Sequence, residues 1–213
     1  MPIRVLLVDD HSIVREGLKS ILEGLGDVAV VGEATDGRSA VERVEELRPD
    51  VIIMDISMPG LNGIEATQLI SKHCPSARVI ILSMHHTNEH IFRAMQAGAR
   101  AYILKEAVGS CIITSLRTVM RGKIFFGEGV VEPQKSNSGS KGVPKSPFDS
   151  LSRREREIMQ FVAEGNSNLT IAELCNISPK SVETYRSRMM IKLGVDNVPS
   201  LVLYALQHGV ISL

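Results

Sequence analysis

Along the first 126 residues, short apolar runs alternate with stretches where apolar residues recur every three or four positions. Ile3–Val8 is a mostly apolar run that stops at Asp9-Asp10. Val14, Leu18, Ile21, Leu22 and Leu25 then repeat at helical spacing until Gly26. Val28–Val31 predicts a second strand, and Ala40, Val41, Val44 and Leu47 predict a helix closed by Pro49. Val51–Met54 predicts a third strand running into Asp55, followed by a helix from about Ile64 to His73. Val79–Leu82 predicts a fourth strand ending at Ser83, with a helix through Ile91, Ala94 and Met95 that stops at Gly98. Ala101–Leu104 predicts a fifth strand ending at Lys105, and Cys111–Met120 a fifth helix. Apolar strands alternating with helices predict an α/β fold: a doubly wound, five-stranded parallel sheet covered on both faces.

The pattern changes near residue 127. Residues 127–150 are rich in Gly, Ser, Pro and Lys, the signature of a flexible linker. Beyond it no strand pattern appears. Ser152 with Glu155 reads as a capping box before an apolar stripe that ends at Gly165. Ser167 starts a short helix, and Asn176-Ile177 reads as a tight turn. Ser178-Pro179 is an N-cap with proline at the first helical position, and that helix runs to Leu193. A last helix spans about Val198 to His208. Two helices joined by a short turn, the second well capped, predict a helix-turn-helix. The expected division is 1–126 as an α/β domain, 127–148 as linker, and 149–213 as a small all-α domain.

Composition adds little as a total. The chain has 213 residues, 24 basic and 24 acidic, with 44% hydrophobic residues, ordinary for a globular protein. Residues 1–126 hold 14 basic and 15 acidic residues, and residues 151–213 hold seven and six, so functional charge must be local. Three scattered cysteines, Cys74, Cys111 and Cys175, suit reduced thiols. No apolar stretch approaches a membrane span and no signal-like start is present, so a soluble, cytoplasmic protein without a membrane partner is expected.

In a parallel sheet the carboxyl ends of the strands share one edge, where ligands bind. Asp9, Asp10, Asp55, Ser83 and Lys105 follow strands one, three, four and five directly. Any one of these acids alone would be explained by helix capping. Three gathered carboxylates call for a cation, and Mg²⁺ fits an oxygen donor set that leaves room for phosphate. A carboxylate nucleophile, a divalent ion, a hydroxyl and a lysine are the parts of phosphoryl transfer to aspartate.

The motifs Val8-Asp9-Asp10-His11, Met54-Asp55-Ile56-Ser57-Met58-Pro59-Gly60, Ser83 and Tyr102-Ile103-Leu104-Lys105 resemble the receiver domain of two-component response regulators. The resemblance implies strand order 2-1-3-4-5 and phosphorylation of Asp55 by a sensor histidine kinase. It implies Mg²⁺ ligation by Asp10, Asp55 and the Ser57 backbone carbonyl, with Asp9 acting through water. It also implies that Ser83 and Lys105 bind phosphoryl oxygens, while Tyr102 takes the place of the family's aromatic switch. One departure is Lys105-Glu106 where many receivers have Lys-Pro with a cis bond; a non-proline cis bond costs about 2.5–4 kcal/mol, so a trans bond is expected. Ser57 and His85 flank the site at positions that tune phosphoryl lifetime in this family. His86 and His90, four apart, offer a weak transition-metal pair if they share a helix face.

In the helix after Ser178, Lys180, Arg186, Arg188 and Lys192 against Glu183 give a local net +3. Val182, Tyr185, Met189 and Leu193 predict the core face. Cations that reach phosphates, with Thr and Ser near base edges, suit a DNA major groove. The segments Leu151–Ile158, Ala163-Glu164-Gly165, Ser181–Arg188 and Lys192-Leu193-Gly194-Val195 resemble the LuxR-type DNA-binding domain, and the whole chain resembles the NarL/FixJ class. The resemblance places Lys180, Glu183, Thr184, Ser187 and Arg188 at the DNA surface, with Lys192 at its margin. Leu169-Thr170 replaces a usually charged pair and suits a protein partner better than a phosphate.

The function these features predict is a phosphoacceptor transcription regulator that catalyses only its own phosphoryl transfer and dephosphorylation. It would bind promoter DNA as a homodimer when phosphorylated, with RNA polymerase as a further candidate partner. A Mg²⁺-dependent phosphatase would need an acid two residues after Asp55, where Ser57 stands. A receiver acting without phosphate would not need all five site residues.

Overall fold

The computed structural model describes residues 1–132, 147–208 and 210–211. It divides into two compact units, Met1–Pro133 and Gln134–Leu213.

The first unit alternates β1 (Ile3–Val8), α1 (Ser12–Glu23), β2 (Val28–Ala34), α2 (Gly37–Leu47), β3 (Val51–Asp55), α3 (Gly63–His73), β4 (Arg78–Ser83), α4 (Asn88–Ala97), β5 (Ala101–Leu104) and α5 (Val108–Met120). A two-residue strand, β6 (Phe125–Phe126), follows. All pairings are parallel and the order is β2-β1-β3-β4-β5-β6. The predicted sheet is therefore present and gains one short edge strand beyond β5. Phe125 N–H donates to Arg100 O, and Gly127 N–H to Tyr102 O.

Side chains alternate along each strand, so the sheet feeds two cores. Leu6, Val8, Ile52, Met54 and Ile81 face α2, α3 and α4 through Ala40, Val44, Ile64, Ile70, Ile91 and Ala94. Val5, Leu7, Ile53, Ile80 and Leu82 face α1 and α5 through Leu18, Leu22, Ile112, Leu116 and Val119. Strands buried on both faces read as continuous apolar runs, which is why they were visible in the sequence. The peptide after Lys105 is not cis, as Lys105-Glu106 predicts.

The second unit contains α6 (Arg153–Ala163), α7 (Asn168–Cys175), α8 (Pro179–Leu193) and α9 (Val198–Gln207). Ser152 and Glu155 form the expected capping box. The core joins Ile158, Met159, Ile171, Val182, Met189, Leu193, Leu201 and Ala205. Phe148 belongs to it at 1% exposure, stacked on His208 with Arg156 over its ring. Of the expected linker, residues 133–146 lie outside the described residues; Gly127 is buried and Val130 packs on the first unit's core. No single helix among the described residues is long and apolar enough to cross a membrane.

Candidate functional site

Parallel register sets the site. Val8 pairs with Met54, Asp55 with Leu82, and Ser83 with Leu104. Asp9, Asp55, Ser83 and Lys105 consequently emerge along one edge. Lys105 Nζ lies 2.8 Å from Asp55 Oδ2 and 2.8 Å from Asp9 Oδ2. Asp9 is 1% and Asp55 2% exposed. Arg15 donates to the Asp9 carbonyl at 2.7 Å and holds the start of the loop. On the other side, α3 starts hard against β3: a Cβ on Gly63 would sit 1.9 Å from the Asp55 carbonyl oxygen, so only glycine fits.

Burial pushes the Asp55 carboxyl up to about 6, against the opposing pull of Lys105, and Asp9 adds to the rise. Burial works against the Lys105 ammonium, but Asp55 and Asp9 outweigh it and hold its pKa above the ordinary value. One ammonium thus pairs with two carboxylates, Asp9 and Asp55, in a cluster whose formal charge with Asp10 is negative.

Asp9, Asp10, His11 and Asp55 each bring a ligand atom to within 4.8 Å of the others. The donor chemistry, mostly hard carboxylate oxygen with a negative formal charge, fits a divalent cation such as Mg²⁺.

The loop after β4 closes the site. Ser83 Oγ accepts from His85 N–H at 2.9 Å. Tyr102 is fully buried, its hydroxyl donating to His85 O at 2.7 Å. Burial pushes the Tyr102 hydroxyl up to about 12, with Ser83 opposing the rise and the Asp55 charge adding to it. His85 Nε2 lies 3.5 Å from Ser57 Oγ, so the two flanking positions meet.

In the second unit, Ser178 Oγ accepts from Ser181 N–H and starts α8. Val182, Met189 and Leu193 are buried, while Lys180, Glu183, Thr184, Ser187 and Arg188 are all exposed. Thr184 and Ser187 hydroxyls donate to Lys180 O and Glu183 O of their own helix.

Two families match the chain: the response regulator receiver domain over residues 5–117, and the bacterial regulatory proteins of the luxR family over residues 149–205. The chain belongs to the NarL/FixJ-type response regulators. The transcriptional regulatory protein MctR of Rhizobium johnstonii is 38% identical over 99% of this regulator and 96% of its own length. The response regulator UvrY of Escherichia coli K12 is 38% identical, over 97% of this chain and 95% of that one. Among solved structures, RcsB from Salmonella enterica serovar Typhimurium, bound to promoter rprA in the presence of phosphomimetic BeF3−, is similar with a TM-score of 0.57 and 29% identity, over 95% of this chain and 97% of that one.

In this regulator the structure brings together Asp9, Asp10, Asp55, Ser57, Ser83, Tyr102 and Lys105. His11 joins them, though sequence reasoning passed over it; the available signal was its place directly after the acidic pair. Lys192 is exposed on α8, but its ammonium is tied down. Its ammonium pairs with Glu155 Oε2 at 2.7 Å and with Ser150 O at 3.2 Å. Glu155 is the buried capping-box carboxylate, and its charge draws Lys192 inward. Burial would raise the Glu155 pKa, but Lys192 and the Ser152 bonds outweigh it and hold it below the usual value. Arg186 is likewise tied, to Asn168 Oδ1 at 2.5 Å. The helix face expected for His86 and His90 does not form: Thr87 caps α4, so His86 precedes the helix and is exposed, while His90 is buried and stacked on His85. Leu169 is 66% exposed at the start of α7.

Proposed function

We propose that Asp55 accepts a phosphoryl group from a sensor histidine kinase in the cytoplasm, and that this controls promoter binding by α8. The observation that carries the reading is the pair of buried carboxylates, Asp55 and Asp9, sharing the single Lys105 ammonium at 2.8 Å. With its pKa at about 6, Asp55 is mostly ionised near neutral pH and is a competent nucleophile. An Asp55 carboxylate oxygen forms a bond to phosphorus as the bond to the donor imidazole breaks. The imidazole leaves with that electron pair. Lys105 already stands beside the accepting carboxylate and can take hold of phosphoryl oxygen without a long movement.

Asp10, Asp55 and the Ser57 carbonyl would hold Mg²⁺, with Asp9 acting through water. When bound, the ion supplies charge neutralisation for the transferring oxygens. The Ser83 hydroxyl would donate to a phosphoryl oxygen while its oxygen stays the acceptor of the His85 N–H, so a shift of Ser83 toward the phosphoryl group would be passed to the segment following β4, with Tyr102 bonded to the same residue.

On DNA, Lys180 and Arg188 would reach phosphates. Thr184 and Ser187 keep acceptor lone pairs for base-edge donors, and Glu183 accepts from a cytosine amine. Few outward cations make monomer affinity modest, which favours a phosphorylated homodimer on paired half-sites. A receiver, a linker and a DNA-binding domain give the switch its parts, with Val130 packed on the first core and Phe148 inside the second, and RNA polymerase is a further partner.

Incubation with acetyl phosphate and Mg²⁺ tests the reading. Mass spectrometry is expected to show an adduct of about 80 Da on Asp55, lost in Asp55→Asn. A variant Asp55→Asn that answered phosphodonor in promoter binding as wild type does would overturn it.

A further inference from the structure

The acidic cluster contains one nitrogen donor that phosphoryl transfer does not use. His11 Nδ1 lies 2.8 Å from Asp10 Oδ1 and 3.1 Å from Asp9 Oδ1. An octahedral ion with bonds of about 2.1 Å sets neighbouring donor atoms about 3 Å apart. The two His11 contacts are at hydrogen-bond distances, and in the tautomer that leaves Nδ1 without a proton the same spacing lets the ring nitrogen and a carboxylate oxygen share one ion. His11 is the residue before α1, yet its side chain makes no capping bond to that helix. The ring turns toward the carboxylates, and the side chain is 60% exposed, so it has room to adjust. Mg²⁺ takes oxygen ligands and keeps several waters, whereas imidazole suits the later first-row ions.

We propose that His11 is a metal-ligating residue, which, together with Asp10 and Asp55, opens the phosphoacceptor centre to divalent transition ions such as Co²⁺, Ni²⁺ and Zn²⁺. This rests on the reading of the cluster as a cation site. Three carboxylates against one ammonium supply the charge for any divalent ion. The imidazole supplies the preference among them. A transition ion held this way competes with Mg²⁺ for the same carboxylates.

The other histidines near the edge supply the control. His85 and His90 stack on each other at 4.6 Å, and His86 stands exposed outside the four-residue cluster.

The test is titration of the full-length protein with Co²⁺ and with Mg²⁺, followed by calorimetry and, for Co²⁺, by visible absorption. Wild type, His11→Ala, His11→Gln and His86→Ala are compared. The ratio of Co²⁺ to Mg²⁺ affinity is expected to fall about tenfold or more in both His11 variants, the scale on which even outer-shell partners of a metal act. The Co²⁺ bands are expected to shift toward an all-oxygen spectrum, and His86→Ala should match wild type. An unchanged ratio and spectrum in the His11 variants overturns the proposal. So does a ratio that falls in His86→Ala and not in His11→Ala. Phosphorylation of the wild type with Mg²⁺ decides the phosphoacceptor reading separately, because neither the ratio nor the cobalt spectrum depends on turnover.

Discussion

The buried Tyr102 hydroxyl donates a 2.7 Å hydrogen bond to the backbone carbonyl of His85. His85 N–H in turn donates to Ser83 Oγ, so one residue of the loop after β4 is pinned at both its backbone groups. Tyr102→Phe keeps the ring and removes the first pin. It is expected to cost about 1 kcal/mol in urea unfolding, the net value of a typical hydrogen bond. Amide exchange around His85 and His86 should speed up, while phosphorylation of Asp55 persists. Unchanged exchange there would show that the hydroxyl does not hold the loop.

Asp55 links stability to pH. Its folded pKa of about 6 stands above the ordinary 3.8. The folded state therefore holds the proton more tightly than the unfolded chain does. The contribution is fully present below about pH 4 and is lost as pH rises through about 6. The difference corresponds to about 3 kcal/mol as an upper value. Without divalent ions, Asp55→Asn is expected to be more stable than wild type at pH 7.5 by up to that amount. The gap should close by pH 4, and Mg²⁺ should narrow it at pH 7.5. Urea denaturation at the two pH values measures it; a gap that widened on acidification would refute the assignment.

Lys192 and Arg188 lie on one helix and separate two effects. Lys192→Ala leaves the buried Glu155 carboxylate without its cation and is expected to cost about 1–2 kcal/mol of domain stability, less than a fully buried pair because Lys192 is partly solvated. Arg188→Ala is expected to leave the melting temperature unchanged. It should weaken promoter binding and lower the slope of log affinity against log salt by about one. Thermal melts and salt titrations on the same two proteins test both statements, and exchanged phenotypes would reverse the roles.

Gly63 tests how tightly α3 fixes the phosphoacceptor. A methyl group there collides with the Asp55 carbonyl. Gly63→Ala is expected to cost about 1–3 kcal/mol by overpacking and to slow phosphorylation of Asp55 by displacing it from Lys105. Wild-type phosphorylation in a destabilised Gly63→Ala would show that the strand end is held independently of α3.

Much of this was legible beforehand, for physical reasons. Parallel strands buried on both faces write unbroken apolar runs, and where the runs stop the chain has reached the ligand edge. Asp9, Asp55, Ser83 and Lys105 are legible in that way from the sequence. The strand Phe125–Phe126 was not, since two residues are too few to show a period. The pairing of Lys192 with Glu155 was not legible, because helical spacing gives the direction of a Cα–Cβ bond and not the reach of a long side chain toward a buried carboxylate on another helix. His86 and His90 satisfied the i, i+4 rule only on the assumption that the helix had begun; α4 begins at Asn88, two residues after His86. The turn of His11 toward two carboxylates rests on contacts of an exposed ring with Asp9 and Asp10, and no periodicity records it.

Phe148 sets a boundary for dissection. Its ring fills the second core and stacks on His208, at the far end of the same unit. A fragment beginning at residue 149 would contain every residue of α8 and still lack part of its own interior, at the scale of a buried phenylalanine truncation, about 3–5 kcal/mol. Weak promoter binding by such a piece would report a hollow core rather than a missing phosphoryl group, whereas one starting at Pro147 or earlier would keep the two apart.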